Sequence, residues 1–162
     1  MPSSITAFVG LGSNLADPIR QIKLACEAIK HIKSTELTRQ SPLYRSQAIG
    51  PEQPDFINAV AQIQTQLNPE ELLDELQTIE RAQGRERMVH WGPRTVDLDL
   101  LLYANQRIDT ERLTVPHAEL TQRNFVLLPL FDIAPQLTLP CGKPLEQVLL
   151  TCPENRIEPI ND

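Results

Sequence analysis

The stretch Trp91-Gly-Pro-Arg-Thr-Val-Asp-Leu-Asp99, continued by Leu100-Leu-Leu-Tyr103, constrains the fold of this chain more than any other. Gly-Pro is a turn signal, and the β-branched and aliphatic residues after it read as a strand over 95–103. Successive side chains of a strand point to opposite faces. Thr95, Asp97, Asp99 and Leu101 therefore share one face. Val96, Leu98, Leu100 and Leu102 share the other, which must be core. Two carboxylates about 7 Å apart on one strand face repel unless something positive lies between them. Mg²⁺ suits such a pair, because it takes one or two protein carboxylates and completes its octahedron with water and substrate phosphates. Arg94, just upstream, keeps its charge and can fork onto a phosphate. The plainer alternative is that the two acids form the wet side of an edge strand.

A chain of 162 residues is enough for one domain with a real core, and we read 1–162 as that domain. The net charge of −6 argues against a general nucleic-acid binder. An anionic ligand must then be held by local arginines or a metal rather than by the overall field. No apolar run approaches the ~18 residues of a membrane span, and the N-terminus lacks a signal-peptide pattern. The expectation is a cytoplasmic monomer acting on small molecules, without membrane or nucleic acid. Cys26, Cys141 and Cys152 form no C-x-x-C pair and read as reduced thiols, with no zinc cage.

In chain order, Ile5 to Val9 reads as a buried strand that Gly10-Leu-Gly-Ser-Asn14 breaks as a glycine turn. This is not a P-loop, since its spacing and lysine are missing. Asp17-Pro18 reads as N-cap and first turn of a helix to about Lys33, with Ile19, Ile22, Cys26, Ile29 and Ile32 on its apolar face. Residues 36–45 alternate weakly, and Pro42 implies an edge or a bulge. Phe56 to Thr65 is a clear strand. Ile57, Ala59, Ala61 and Ile63 take one face; Phe56, Asn58, Val60 and Gln62 take the other. An aromatic ring beside an amide can stack on and hydrogen-bond a flat heterocycle, though the pair could equally cover the sheet end. Asn68-Pro69-Glu70-Glu71 starts a helix that Gly84 ends. Glu80 lies near its C-terminus, where an acid opposes the dipole.

Residues 84–90 form a short basic loop that can close over phosphates. After Tyr103, residues 104–106 read as a turn and 107–110 as a short return strand. Residues 113–117 leave the sheet and enter a helix near Pro116. Val126 to Ile133 reads as a core helix, with Pro129 early in it or kinking it. A short helix over 144–150 and a loose tail over 153–162 complete the chain. The order β-α-β-β-α-β predicts an α+β fold: a ferredoxin-like, largely antiparallel sheet with helices packed on it.

The residues alone therefore suggest phosphoryl-type transfer, which depends on positioning and charge neutralisation. A metal-dependent glycosyltransferase with a D-x-D pair and a ferredoxin-like ligand-binding regulatory module remain open at this point.

The stretch 91–99 resembles the signature of the 6-hydroxymethyl-7,8-dihydropterin pyrophosphokinase family of folate biosynthesis. Gly10-Leu-Gly-Ser-Asn-Leu15, Tyr44-Arg45, Gly50-Pro51, Gln53-Pro-Asp-Phe-Ile-Asn58, Leu113-Thr-Val-Pro-His117 and Arg123-Asn-Phe125 follow that family's order and approximate spacing. The resemblance implies transfer of pyrophosphate from ATP to the 6-hydroxymethyl oxygen, with release of AMP. It implies that Asp97 and Asp99 hold two Mg²⁺ ions and that Arg85 and Arg94 bind phosphate oxygens. Glu80, Arg112, Thr114, His117 and Arg123 would meet ATP, as would Trp91 in the closing loop. Phe56 and Phe125 would sandwich the pterin, with Ser46, Asn58 and the backbone around Ile49 and Gly50 reading its edge.

Overall fold

The computed structural model describes residues 4–14, 17–46, 55–84, 96–117, 120, 123–152 and 157–160. In chain order the elements are β1 (Ile5–Ser13), α1 (Pro18–Lys30), β2 (Thr35–Gln40), β3 (Tyr44–Ser46), β4 (Phe56–Thr65), α2 (Pro69–Gly84), β5 (Asp97–Tyr103), β6 (Ile108–Asp109), β7 (Thr114–Val115), α3 (Asn124–Ile133), α4 (Leu145–Thr151) and β8 (Ile157–Pro159). The main sheet runs β5-β1-β4-β3-β8, with β2 also paired to β4. Each of these pairings is antiparallel.

β2 and β3 occupy one strand position interrupted at 41–43. Pro42 has no N–H to offer a ladder. Ser41 bridges the gap: its N–H reaches the Val60 carbonyl at 2.9 Å, and its Oγ accepts the Val60 N–H at 2.9 Å. Taken as one strand, β2/β3 completes the ferredoxin-like split βαβ order. Helix α2 begins as Asn68 and Glu71 suggest. Asn68 Oδ1 accepts the Glu71 N–H at 2.8 Å, and Glu71 Oε1 accepts the Asn68 N–H at 3.0 Å. This reciprocal cap satisfies two donors that the first helical turn leaves open.

Alternation sorts the core onto two faces. Val9, Leu11, Ile57, Ile63, Leu98 and Leu100 pack with Ile22 and Ile29 of α1 and Leu72 and Leu76 of α2. Phe8, Val60, Leu101 and Leu102 pack with Leu127 and Leu130 of α3 and Leu145 of α4. Each buried side chain of this size contributes about 1.5–3 kcal/mol.

Several elements differ from the sequence expectation. β1 does not break at Gly10 but continues through both glycines to Ser13, paired on both sides. The ladders on either edge use its backbone groups and override the local turn signal. Leu102 does not share a face with Leu100. The register against β1 shifts between Phe8 and Val9, leaving Leu101 as an extra residue, and Leu101 and Leu102 both pack toward α3 and α4. Asp17 adopts φ 62° and makes no side-chain cap, and α1 ends at Lys30, although Ile32 is still buried. The return strand after β5 is only β6, which pairs with β7 in a separate ribbon; beyond Pro116, Leu120 lies in a 3₁₀ turn, its N–H reaching the His117 carbonyl at 3.0 Å. Residues 157–159 are not loose: they form β8 against β3.

Candidate active site

Three strands set the site residues in rows. On β1, Gly12 pairs with Asn58 of β4 on one side and with Asp97 of β5 on the other. One row further, Gly10 pairs with Val60 and Asp99. Strands lie about 4.8 Å apart, so Asn58 and Asp97 stand roughly 10 Å apart across a strip with no side chain. The glycines keep this strip bare for a packing reason. A Cβ on Gly12 would lie 3.1 Å from Asn58 Nδ2, and one on Gly10 would lie 3.3 Å from a Leu101 methyl.

A cavity of about 440 Å³ opens over these rows. Phe56 and Asn58 line it from β4, Asp97 and Asp99 from β5, His117 and Arg123 from the residues between β7 and α3, and Phe125 from the first turn of α3. Seven residues singled out in the sequence thus meet in one space. Sequence reasoning missed Gly10, Gly12, Leu120 and Val126, which also line it. The glycines carried a usable signal, because a G-x-G at strand period places both on one face.

Besides its apolar packing, α3 is tied to the sheet by two hydrogen bonds among the described residues. Tyr44 Oη donates to Asp132 of α3, and Arg39 Nη1 donates to the Ile133 carbonyl at 3.2 Å. Burial and the Asp132 carboxylate push the Tyr44 phenol above its ordinary pKa, so it remains a proton donor. These ties hold the C-terminal end of α3, while its first turn carries Phe125 into the cavity that Phe56 also lines. The Arg123 guanidinium carbon lies 5.7 Å from the Phe125 ring centre.

The amide end is ordered by a side chain the cavity does not expose. Ser46 Oγ donates to Asn58 Oδ1 at 2.9 Å, and both residues are buried. In this arrangement Nδ2 lies on the Gly12 side. The acidic end is more open: Asp97 is exposed, and the Asp99 side chain is 45% exposed. His117 Nε2 lies 4.0 Å from Asp99 Oδ2, while the His117 N–H reaches the Leu101 carbonyl at 3.1 Å. Two hard carboxylates on one open strand face fit Mg²⁺ shared with substrate phosphates better than a metal caged by protein. Among the described residues no group of three or more His, Cys, Asp or Glu gathers.

Of the other expected residues that the structure describes, Thr114, Arg112 and Glu80 do not line this cavity. Thr114 lines an adjoining space of about 410 Å³, which shares His117 and Leu120 with the first. Arg112 is half-exposed and held on α2, with Nη2 2.6 Å from Asp74 Oδ1 and 3.4 Å from Gln77 Oε1. Glu80 Oε2 accepts the backbone N–H of Leu98 at 2.8 Å. Arg85, Trp91, Arg94, Ile49 and Gly50 lie outside the described residues.

The family model for 7,8-dihydro-6-hydroxymethylpterin-pyrophosphokinase (HPPK) matches residues 8–135. The chain belongs to the HPPK family. It is 46% identical over 158 residues to a 2-amino-4-hydroxy-6-hydroxymethyldihydropteridine pyrophosphokinase of Haemophilus influenzae, covering 97% of this chain and 99% of that one. It is 51% identical over 152 residues to the enzyme of the same name in Pseudomonas aeruginosa, covering 93% and 94%. A Plasmodium falciparum HPPK-DHPS crystallised with pterin and p-hydroxybenzoate superposes with a TM-score of 0.70 at 14% identity, over 93% of this chain and 44% of that longer one. That last likeness shows the fold. The chain is a transferase of folate biosynthesis that places pyrophosphate on the reduced pterin. Among its described residues, no helix is long and apolar enough to cross a membrane.

Proposed function

We propose that the pyrophosphate donor is ATP bound with Mg²⁺, and that the 6-hydroxymethyl oxygen of 7,8-dihydropterin attacks the β-phosphorus. The new bond is O–Pβ; the bonds broken are that between Pβ and the oxygen bridging to Pα and the hydroxyl O–H, whose proton passes to solvent as AMP leaves. The observation that carries this reading is the single cavity joining Phe56, Asn58 and Phe125 to Asp97 and Asp99. A flat ring held between Phe56 and Phe125, with its polar edge toward Asn58, directs a short arm across the bare glycine strip toward the acids.

Asp97 and Asp99 would hold the Mg²⁺. When bound, Mg²⁺ neutralises phosphate charge and makes a nearby hydroxyl more acidic. Arg123 and His117 face the same space and supply donors for phosphate oxygens. Arg85 and Arg94 are proposed to do the same, with Trp91 in a closing segment and Ile49 and Gly50 reading the pterin edge. Thr114 lines the adjoining cavity, which extends past His117 and suits the remainder of the nucleotide. Arg112 would join it by exchanging its contact with Asp74. The enzyme is proposed to work as a cytoplasmic monomer.

Mixing the protein with ATP, Mg²⁺ and 6-hydroxymethyl-7,8-dihydropterin, then separating the nucleotides, tests this reading. AMP formed only in the presence of pterin is the expected result. ADP would replace β-attack by γ-phosphoryl transfer, and unchanged nucleotide would remove ATP as the donor.

A further inference from the structure

Glu80 sits near the C-terminal end of α2, where the dipole disfavours an acid. What it touches explains its place. Its Oε2 accepts the N–H of Leu98, the residue between Asp97 and Asp99. Among the described residues, β5 is an edge of the main sheet. Alternate N–H groups of an edge strand point away from the neighbouring strand and need another acceptor. A carboxylate is a strong one, because the hydrogen bond is charge-assisted. On the far side of Asp99, the Leu101 carbonyl takes the His117 N–H. The outer edge of β5 is therefore tied at Leu98 and at Leu101, with Asp99 between the ties.

We propose that Glu80 is a positioning residue for the acidic pair. Its hydrogen bond fixes the backbone between Asp97 and Asp99, and so sets the direction in which both carboxylates enter the cavity. The proposal rests on the reading of Asp97 and Asp99 as the Mg²⁺ ligands. It stands beside the contact with ATP that the family resemblance implies for Glu80. In this role the side chain must accept a hydrogen bond, and its charge is secondary.

The test compares the full chain with Glu80→Ala and Glu80→Gln. One readout is amide hydrogen exchange at Leu98 in the free protein, without metal, nucleotide or pterin. The other is steady-state kinetics with Mg²⁺, ATP and pterin varied separately. In Glu80→Ala, exchange at Leu98 is expected to rise roughly tenfold or more, the scale for losing a hydrogen bond to a charged acceptor. Its kcat falls by a similar factor, half-saturation shifts to higher Mg²⁺, and the pterin KM holds. Glu80→Gln keeps a carbonyl acceptor and is expected to restore Leu98 protection and most of kcat.

Unchanged exchange at Leu98 in Glu80→Ala overturns the proposal. So does a Glu80→Gln variant as impaired as Glu80→Ala with only its ATP KM raised, since the carboxylate would then act on the nucleotide. Should Glu80→Ala not fold, Glu80→Asp takes its place with the same two outcomes, because its shorter arm draws the carboxylate back from Leu98. Asp97→Asn is assayed alongside. A normal rate there removes the metal reading and this proposal together; an inactive Asp97→Asn with unaltered Leu98 exchange in Glu80→Ala removes this proposal only.

Discussion

The two ends of the active-site cavity are built on opposite physical terms. At the β4 end, Asn58 and Ser46 are buried and hydrogen-bonded to each other before any ligand arrives. At the β5 end, Asp97 and Asp99 are open to water, and the order lies in the backbone beneath them. On the proposed reading, the difference follows from what each end would bind. A neutral ring gains little from charge, so a fixed amide and fixed rings do the selecting. A metal-bound polyphosphate is attracted by charge, and two like charges held close gain most when a cation arrives.

The strongest way to break this contrast is to neutralise the open end. Asp97→Asn or Asp99→Asn should lower pyrophosphate transfer by about 10²–10³-fold or more, the scale for removing one preorganised charge-stabilising group. Thermal unfolding in Mg²⁺-free buffer should hold or rise in both, because a repulsion is removed. Near-normal rates in both would sink the metal assignment. The buried end should respond differently. Ser46→Ala leaves Asn58 Oδ1 without its donor and should raise the pterin KM by roughly tenfold, equivalent to about 1.4 kcal/mol, with the ATP KM unchanged. Equal shifts in both KM values would mean that the two ends are not separate.

The smallest and sharpest test lies in the strip between them. Gly12→Ala presses on Asn58 Nδ2 and should raise the pterin KM about threefold with little change in melting temperature. Gly10→Ala presses on the Leu101 side chain and should instead lower stability by about 1 kcal/mol in urea titrations. Interchanged effects would contradict the row assignment.

Much of this could be read from the chain because its signals were local. Asn68-Pro69-Glu70-Glu71 fixed the start of α2 through contacts three residues apart. The alternation from Phe56 to Thr65 marked both faces of β4, and Asp97 and Asp99 shared a face as their spacing required. What stayed hidden was set by partners distant in sequence. Gly10 and Gly12 look like a turn until strands are laid on both sides of them. β8 has one apolar residue over 157–159 and becomes a strand only because β3 offers an edge. Glu80 showed only as an acid in an awkward place, since its partner is a backbone group eighteen positions away. Arg112 has no local feature that would announce Asp74 as its neighbour.

The extra residue at Leu101 has an effect beyond the core it fills. Before it, β5 alternates so that the acids face the cavity. After it, the alternation restarts one step out of phase, and Leu102 takes the place that unbroken pleating would give to Tyr103. The strand thus behaves as two rulers joined by a coupling. Replacements at the Tyr103 end can therefore be absorbed without turning Asp97 and Asp99 away from the cavity, and the two halves of the strand can vary separately.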